Sequence, residues 1–248
     1  MLKRKIKEIL FVAFYSLSSL YVMRMSLLLL LGSAVVGALS FYYNSAFRNI
    51  VLTEYGVEYT VFAYTSAISS IFLALSPVFF SYRFLDFGIS LESLAIGDLL
   101  GELCRITYKL LPIVIVGYLL SIEINLNIFY LLAALPFVFL LMLGIKLLLT
   151  SGEITSSGGN IISWFYFGIT NLVSGLWFPV SALPEYLRPI AYITPQYHLV
   201  ELIRRPLIGQ APPWISIIFG VLFFAISYLY FRRTIKLAFM GGLILWAA

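Results

Sequence analysis

Residues 178–209 read FPVSALPEYLRPIAYITPQYHLVELIRRPLIG, a proline-punctuated stretch between two long apolar runs. Pro179, Pro184, Pro189, Pro195 and Pro206 each lack a backbone donor and disfavour helix in the residue before them, so the stretch cannot form one plain membrane-crossing helix. The local chemistry predicts two short helices. Pro184 is placed in the first turn of one over 185–192. Thr194 caps a second that has Pro195 at its first position and is closed by Pro206 and Gly209. His198, the single histidine, falls in the first turn of that second helix and reads as a capping or packing residue. The expectation is a re-entrant helical elbow at a membrane edge.

The rest of the chain supplies the membrane. Hydrophobic residues make up 62% of the 248, charged residues only 11%, and mean hydropathy is +1.01; soluble domains are roughly half apolar and a quarter charged. The formal net charge of +5 does not point to nucleic acid, because the basic residues flank apolar runs and form no single polar face. Cys104 is the one cysteine, so no intrachain disulfide can form.

Six runs are long enough, or nearly so, to cross about 30 Å of hydrocarbon: 26–43, 59–80, 106–122, 128–150, 161–178 and 214–231. With the N-terminus inside, only Arg48, Arg188, Arg204 and Arg205 fall outside, and every other Lys and Arg, from Lys3 to Lys236, falls inside. A seventh span would spoil this asymmetry. The expected fold class is therefore an all-α integral membrane protein of six transmembrane helices, both termini cytoplasmic, with the external elbow (179–210) between the fifth and sixth spans. Residues 1–25 carry Lys3, Arg4, Lys5 and Lys7 and then an apolar stripe, which suits a cytoplasmic interfacial helix. A cleaved signal peptide and an extra short span are the rival readings of that segment. Residues 26–248 are then a single transmembrane domain.

Between the second and third spans, the cytoplasmic loop 81–105 mixes Asp86, Glu92, Asp98 and Glu102 with leucines. Ser90 can cap a short helix with Leu91, Leu94 and Ala95 on one face, and Gly97 with Asp98 can end it and start the next. Trp164, Phe165 and Trp177 load the fifth span with aromatics, read as an interfacial belt or as substrate contacts. Gly168 and Gly175, like Ser33 and Gly37 on the first span, share a helical face and suggest a packing or homodimer seam.

Several mechanisms are disfavoured by what is missing. No Asp, Glu or His is expected at the centre of a span, where ion-coupled carriers place their relays, and Lys109 and Lys146 are expected to snorkel to cytoplasmic ends. No glycine-rich phosphate loop ending in Gly-Lys-Ser/Thr occurs, so the chain is not expected to be an enzyme that hydrolyses nucleotide itself. No nucleophile with a base marks an intramembrane protease.

The elbow, preceded by Ser174, Gly175, Leu176 and Trp177, resembles the signature end of the ABC type-2 permeases. The matching residues are Phe178, Pro179, Ala182, Leu183, Pro184, Tyr186, Leu187, Pro189, Pro195 and Leu202. In that family the 81–105 position holds a coupling helix, and Leu91, Glu92, Ser93 and Leu94 match its last part. Gly88 stands one residue early, Ser90 replaces a threonine, and Gly97–Asp98 replaces Thr-Pro. The resemblance implies a permease in the plasma membrane, paired with a second copy or close relative. It also implies a cytosolic ATP-binding cassette subunit, with ATP and Mg in that partner and no cofactor in this chain. Asp86, Gly88, Leu91, Glu92 and Leu94 would couple to the ATPase. Phe178, Pro179, Leu183, Pro184, Tyr186, Pro189 and Pro195 would form the external gate, and the first, second and fifth helices would line the route. An aromatic, uncharged route suits an amphipathic or lipid-linked cargo. A membrane anchor or scaffold subunit that transports nothing is the alternative.

Overall fold

The computed structural model describes residues 5–12, 47–73, 91–155 and 173–240, and these contain helices and no strand. The elements are α1 (Arg48–Tyr55), α2 (Tyr59–Leu73), α3 (Leu91–Leu119), α4 (Ile128–Thr155), a 3-10 turn (Val180–Ala182), α5 (Arg188–Tyr192), α6 (Pro195–Leu207) and α7 (Trp214–Met240); residues 5–12 are also helical. Among the described residues, α4 and α7 are long and apolar enough to cross a membrane. The expected run 26–43, the 74–80 part of the run 59–80, all but the end of 161–178, and residues 13–25 of the expected interfacial helix lie outside the described residues.

The core is built on α4, which packs most extensively against α7 and next against α6. A Cβ on Gly144 would stand 3.2 Å from the Phe224 backbone, so that glycine sets the close approach of the two long helices. Contacts advance together along both, from Leu141 at Gly220 to Gly144 at Phe223, which makes α4 and α7 parallel. The chain between Thr155 and Trp214 must therefore return to the end from which α4 started. Outward faces stay apolar: Phe129 is 79% exposed, and Ile215, Ile218, Leu222 and Leu229 form an exposed stripe on α7. Such a surface suits hydrocarbon, not water.

Helix α3 departs from expectation. It runs unbroken for 29 residues, through Gly97 and Asp98 and past Pro112, so the short coupling helix and the third span are one element. Tertiary contacts override the local break signal. A Cβ on Gly97 would collide with Ile9 O and the Val12 side chain at 2.7 Å, so Gly97 is the seat of the 5–12 segment. At its far end α3 closes with Ser121 in the left-handed region (φ 52), the Ser121 amide donating to Tyr118 O and the Ile122 amide to Gly117 O.

The proline-rich stretch also differs in detail. A helix over 185–192 would put Pro189 in its interior, losing a bond and clashing with the preceding turn. The chain instead makes the 3-10 turn and then the five-residue α5, with Pro189 in its first turn and Pro184 before it. Helix α6 begins where Thr194 and Pro195 start it, but Thr194 makes no side-chain cap and its hydroxyl donates to Ala191 O at 2.7 Å. Gly209 (φ 79) ends α6, with its amide donating to Pro206 O and the Gln210 amide to Arg205 O.

Candidate functional site

Helix α6 carries Glu-x-x-Arg-Arg, Glu201, Arg204 and Arg205, a spacing that places both cations over one carboxylate. Packing buries this face. Glu201 and Arg204 have almost no exposure, while Arg205 keeps 29% of its side chain in reach of solvent. The Glu201 carboxylate accepts from Arg205 Nε at 2.7 Å, from the Tyr55 hydroxyl at 2.9 Å and from Arg204 Nη1 at 3.4 Å. Arg204 Nη2 donates to Ser66 Oγ and to Gly175 O, each at 2.8 Å, and its guanidinium carbon lies 4.1 Å from the Phe62 ring centre. One side chain thereby joins α1, α2, the segment at Gly175 and α6. Burial, reinforced by Glu201, holds the Tyr55 phenol well above its ordinary value, which keeps it a donor.

Surrounding bonds close the unit. Gln210 Nε2 donates to Tyr55 O at 2.8 Å and Arg205 Nη1 to Gln210 Oε1 at 3.2 Å. Ser181 bonds Glu54, and Arg188 donates to Leu183 O at 3.0 Å and Ser181 O at 2.8 Å. The Asn127 amide donates to Pro206 O at 3.0 Å, while Asn127 Oδ1 accepts from the Phe129 and Tyr130 amides and caps α4. His198 belongs to the same assembly as a packing residue. A carbonyl can only accept, so Nε2 carries the proton and donates to Tyr192 O at 2.8 Å, leaving Nδ1 to accept from the Ser216 hydroxyl at 3.0 Å. The ring stacks on Phe219 at 3.9 Å, and burial lowers its pKa against the opposing pull of the Tyr192 carbonyl and Glu201.

A second ionic cluster sits toward the other end of α4. Lys146 Nζ lies 2.8 Å from Asp98 Oδ2, and Lys146 has no exposed side-chain surface. Lys146 therefore does not snorkel outward as the sequence suggested, because Asp98 on unbroken α3 meets it inside. Arg105 pairs with Glu102 and faces Asp98 at 3.8 Å, and Lys109 lies 3.6 Å from Glu102. From Asn127 to Lys146 is about 28 Å of helix at 1.5 Å per residue, close to the thickness of a bilayer's hydrocarbon.

The residues singled out from sequence are distributed unevenly. Phe178 stacks on Phe47 at 5.9 Å, Pro179 and Leu183 are buried, Pro195 is half-buried, and Pro184, Pro189 and Tyr186 (76%) are exposed. Gly175 is no part of a helical seam: helix ends at Val173, and Gly175 turns with φ 75 so that its carbonyl meets Arg204. Leu91 and Glu92 open α3, but Leu94 is wholly buried in this chain's own core and cannot anchor a partner from there. Asp86, Gly88, Ser33, Gly37, Trp164, Phe165 and Gly168 lie outside the described residues. Sequence reading missed Arg204 and Asp98–Lys146. The Glu-x-x-Arg-Arg spacing and the one-face run of Asp98, Glu102, Arg105 and Lys109 were the available signals.

Against known proteins, a family model described as ABC-2 type transporter matches residues 1–208. No curated protein and no solved structure matches the chain.

Proposed function

The chain belongs to the ABC-2 type transporter family and is a membrane permease subunit, and on that premise we propose that it is the membrane half of an exporter whose outer closure is the Arg204 network. Six spans with both termini in the cytoplasm place α1, the 123–127 turn and the 179–210 elbow outside. Parallel α4 and α7 support this count, since one crossing must lie between them. The family implies an ATP-binding cassette partner; ATP and Mg act there, and the permease pairs with a second copy or a close relative in the plasma membrane.

The observation that carries the reading is Arg204 itself. A guanidinium wholly removed from solvent and bonded to Ser66 and Gly175 ties α2 and the segment that precedes the elbow to α6. Buried ionic groups of this kind stabilise little against an apolar substitute, so a role in fixing one of two arrangements accounts for them better than stability does. The aromatics that the sequence places on the fifth run, Trp164, Phe165 and Trp177, suit cargo that is amphipathic or lipid-linked.

Affinity purification from membranes tests the proposal. The protein should bring down an ATP-binding subunit whose hydrolysis is vanadate-sensitive. Recovery of the permease with other membrane proteins and no ATPase would instead identify a scaffold.

A further inference from the structure

Lys146 interrupts an otherwise apolar stretch of α4, and its partner Asp98 comes from the first third of α3. Replacing a buried ion pair by apolar groups of similar volume is often neutral or stabilising, so folding alone gives no reason for this pair. Fixing register is the best attested use of such groups. Its neighbours show which elements it registers. Gly97, beside Asp98, is the seat of Ile9 and Val12 from the 5–12 segment, and Leu94, Ala95 and Leu99 bury the same stretch of α3.

From Lys146, α4 runs as one helix to Asn127, whose amide is bonded to Pro206 O, two residues from Arg204. Along the way α4 packs against α6. A displacement at the start of α3 therefore has a continuous helical path to the elbow, one that passes Pro136 within α4, when α3 and α4 move together. The pair at 2.8 Å is a polar tie between them.

We infer that Asp98 and Lys146 are positioning residues for the ATP-driven step: their ion pair is the pivot that passes movement of the α3 N-terminal end to α4, and through α4 to the Arg204 network. This rests on the exporter reading, which sets the ATP-binding subunit at that end of the molecule. Arg105 and Lys109 pair with Glu102 on α3 itself, and Arg105 also faces Asp98 at 3.8 Å.

The test uses the permease co-purified with its ATP-binding subunit, in a Cys104→Ser background. Glu54→Cys and Ser181→Cys, at two side chains that are hydrogen-bonded in this structure, report the elbow through a short bismaleimide cross-linker. In the parent complex, trapping with ATP and vanadate should change the cross-linking yield about fivefold or more, the lower end of ordinary coupling between sites. Asp98→Leu with Lys146→Met should keep the ATP-binding subunit, its hydrolysis and the thermal midpoint, yet lose the change in yield; Lys146→Arg, which keeps the cation, should retain it. A full response in the apolar double variant overturns the inference. So does loss of folding in that variant, which would make the pair structural only. A parent complex with no ATPase, or with no response to vanadate, overturns the exporter reading itself and the inference with it.

Discussion

Arg204 Nη2 donates to Ser66 Oγ at 2.8 Å, joining residues 138 apart in the chain. Neither partner is expendable to the other. Ser66 donates its own proton to Phe62 O at 2.8 Å, so its lone pairs face the guanidinium, and Phe62 places its ring beneath the same cation. Helices α1 and α2, the segment at Gly175 and α6 thus converge on one side chain beside Phe62 and Ser66 of α2.

Removing that side chain should be costly. Breaking one side of a buried ionic network typically costs about 3–5 kcal/mol, and at roughly 2–4 °C per kcal/mol for a chain of this size Arg204→Ala should lower the thermal midpoint in detergent by about 6–20 °C. Glu201→Met combined with Arg204→Met should cost clearly less than the two single changes added together. Strict additivity would mean that the residues do not act as a unit.

Gly175 should tolerate no side chain for a reason internal to the subunit. Its φ of 75 is a conformation that L-residues occupy at a cost of order 1–2 kcal/mol, and a Cβ there would stand 3.1 Å from Val180 Cγ2. Gly175→Ala should therefore lower stability by roughly that amount and loosen the elbow, while leaving the mass of the detergent-solubilised complex unchanged. A halved mass at unchanged stability would return Gly175 to a seam between copies.

The pH dependence of stability should carry the mark of His198. Burial lowers its folded pKa below the unfolded value of about 6.5, so the unfolded chain binds the proton first. Stability is complete above that unfolded value and is lost as pH falls toward the folded one. Thermal midpoints between pH 8 and pH 5 should be flat at first and then fall below about pH 6.5. His198→Gln should remove the fall in that window, and an unchanged profile in the variant would assign it to another group.

Local chemistry accounted for what was legible in the sequence. Helices α4 and α7 follow from apolar runs long enough to cross a bilayer, and α6 starts at Thr194–Pro195 and stops at Gly209 because proline and glycine act within a few residues of where they stand. What could not be read depended on distant partners. Gly97–Asp98 looks like a helix stop until Ile9, Val12 and Lys146 are seen packed on it. Lys146 looks like a snorkelling lysine until α3 brings a carboxylate to it. In the same way, Glu201 and Arg204 announce a pair by spacing, but nothing near them announces Tyr55, Ser66 or Gly175.

The central claim is that the Arg204 network closes the outer end and that ATP hydrolysis in a partner opens it. Ser69 tests this most directly, because it lies one turn beyond Ser66 on α2, is fully buried, and among the described residues bonds within its own helix, to Thr65 O at 2.8 Å. In a Cys104→Ser background, Ser69→Cys should resist an impermeant maleimide added from outside to the nucleotide-free complex and react when ATP and vanadate trap the partner, with half-buried Ser181→Cys labelled from outside in both states. Equal protection or equal reaction of Ser69→Cys in the two states would contradict the account.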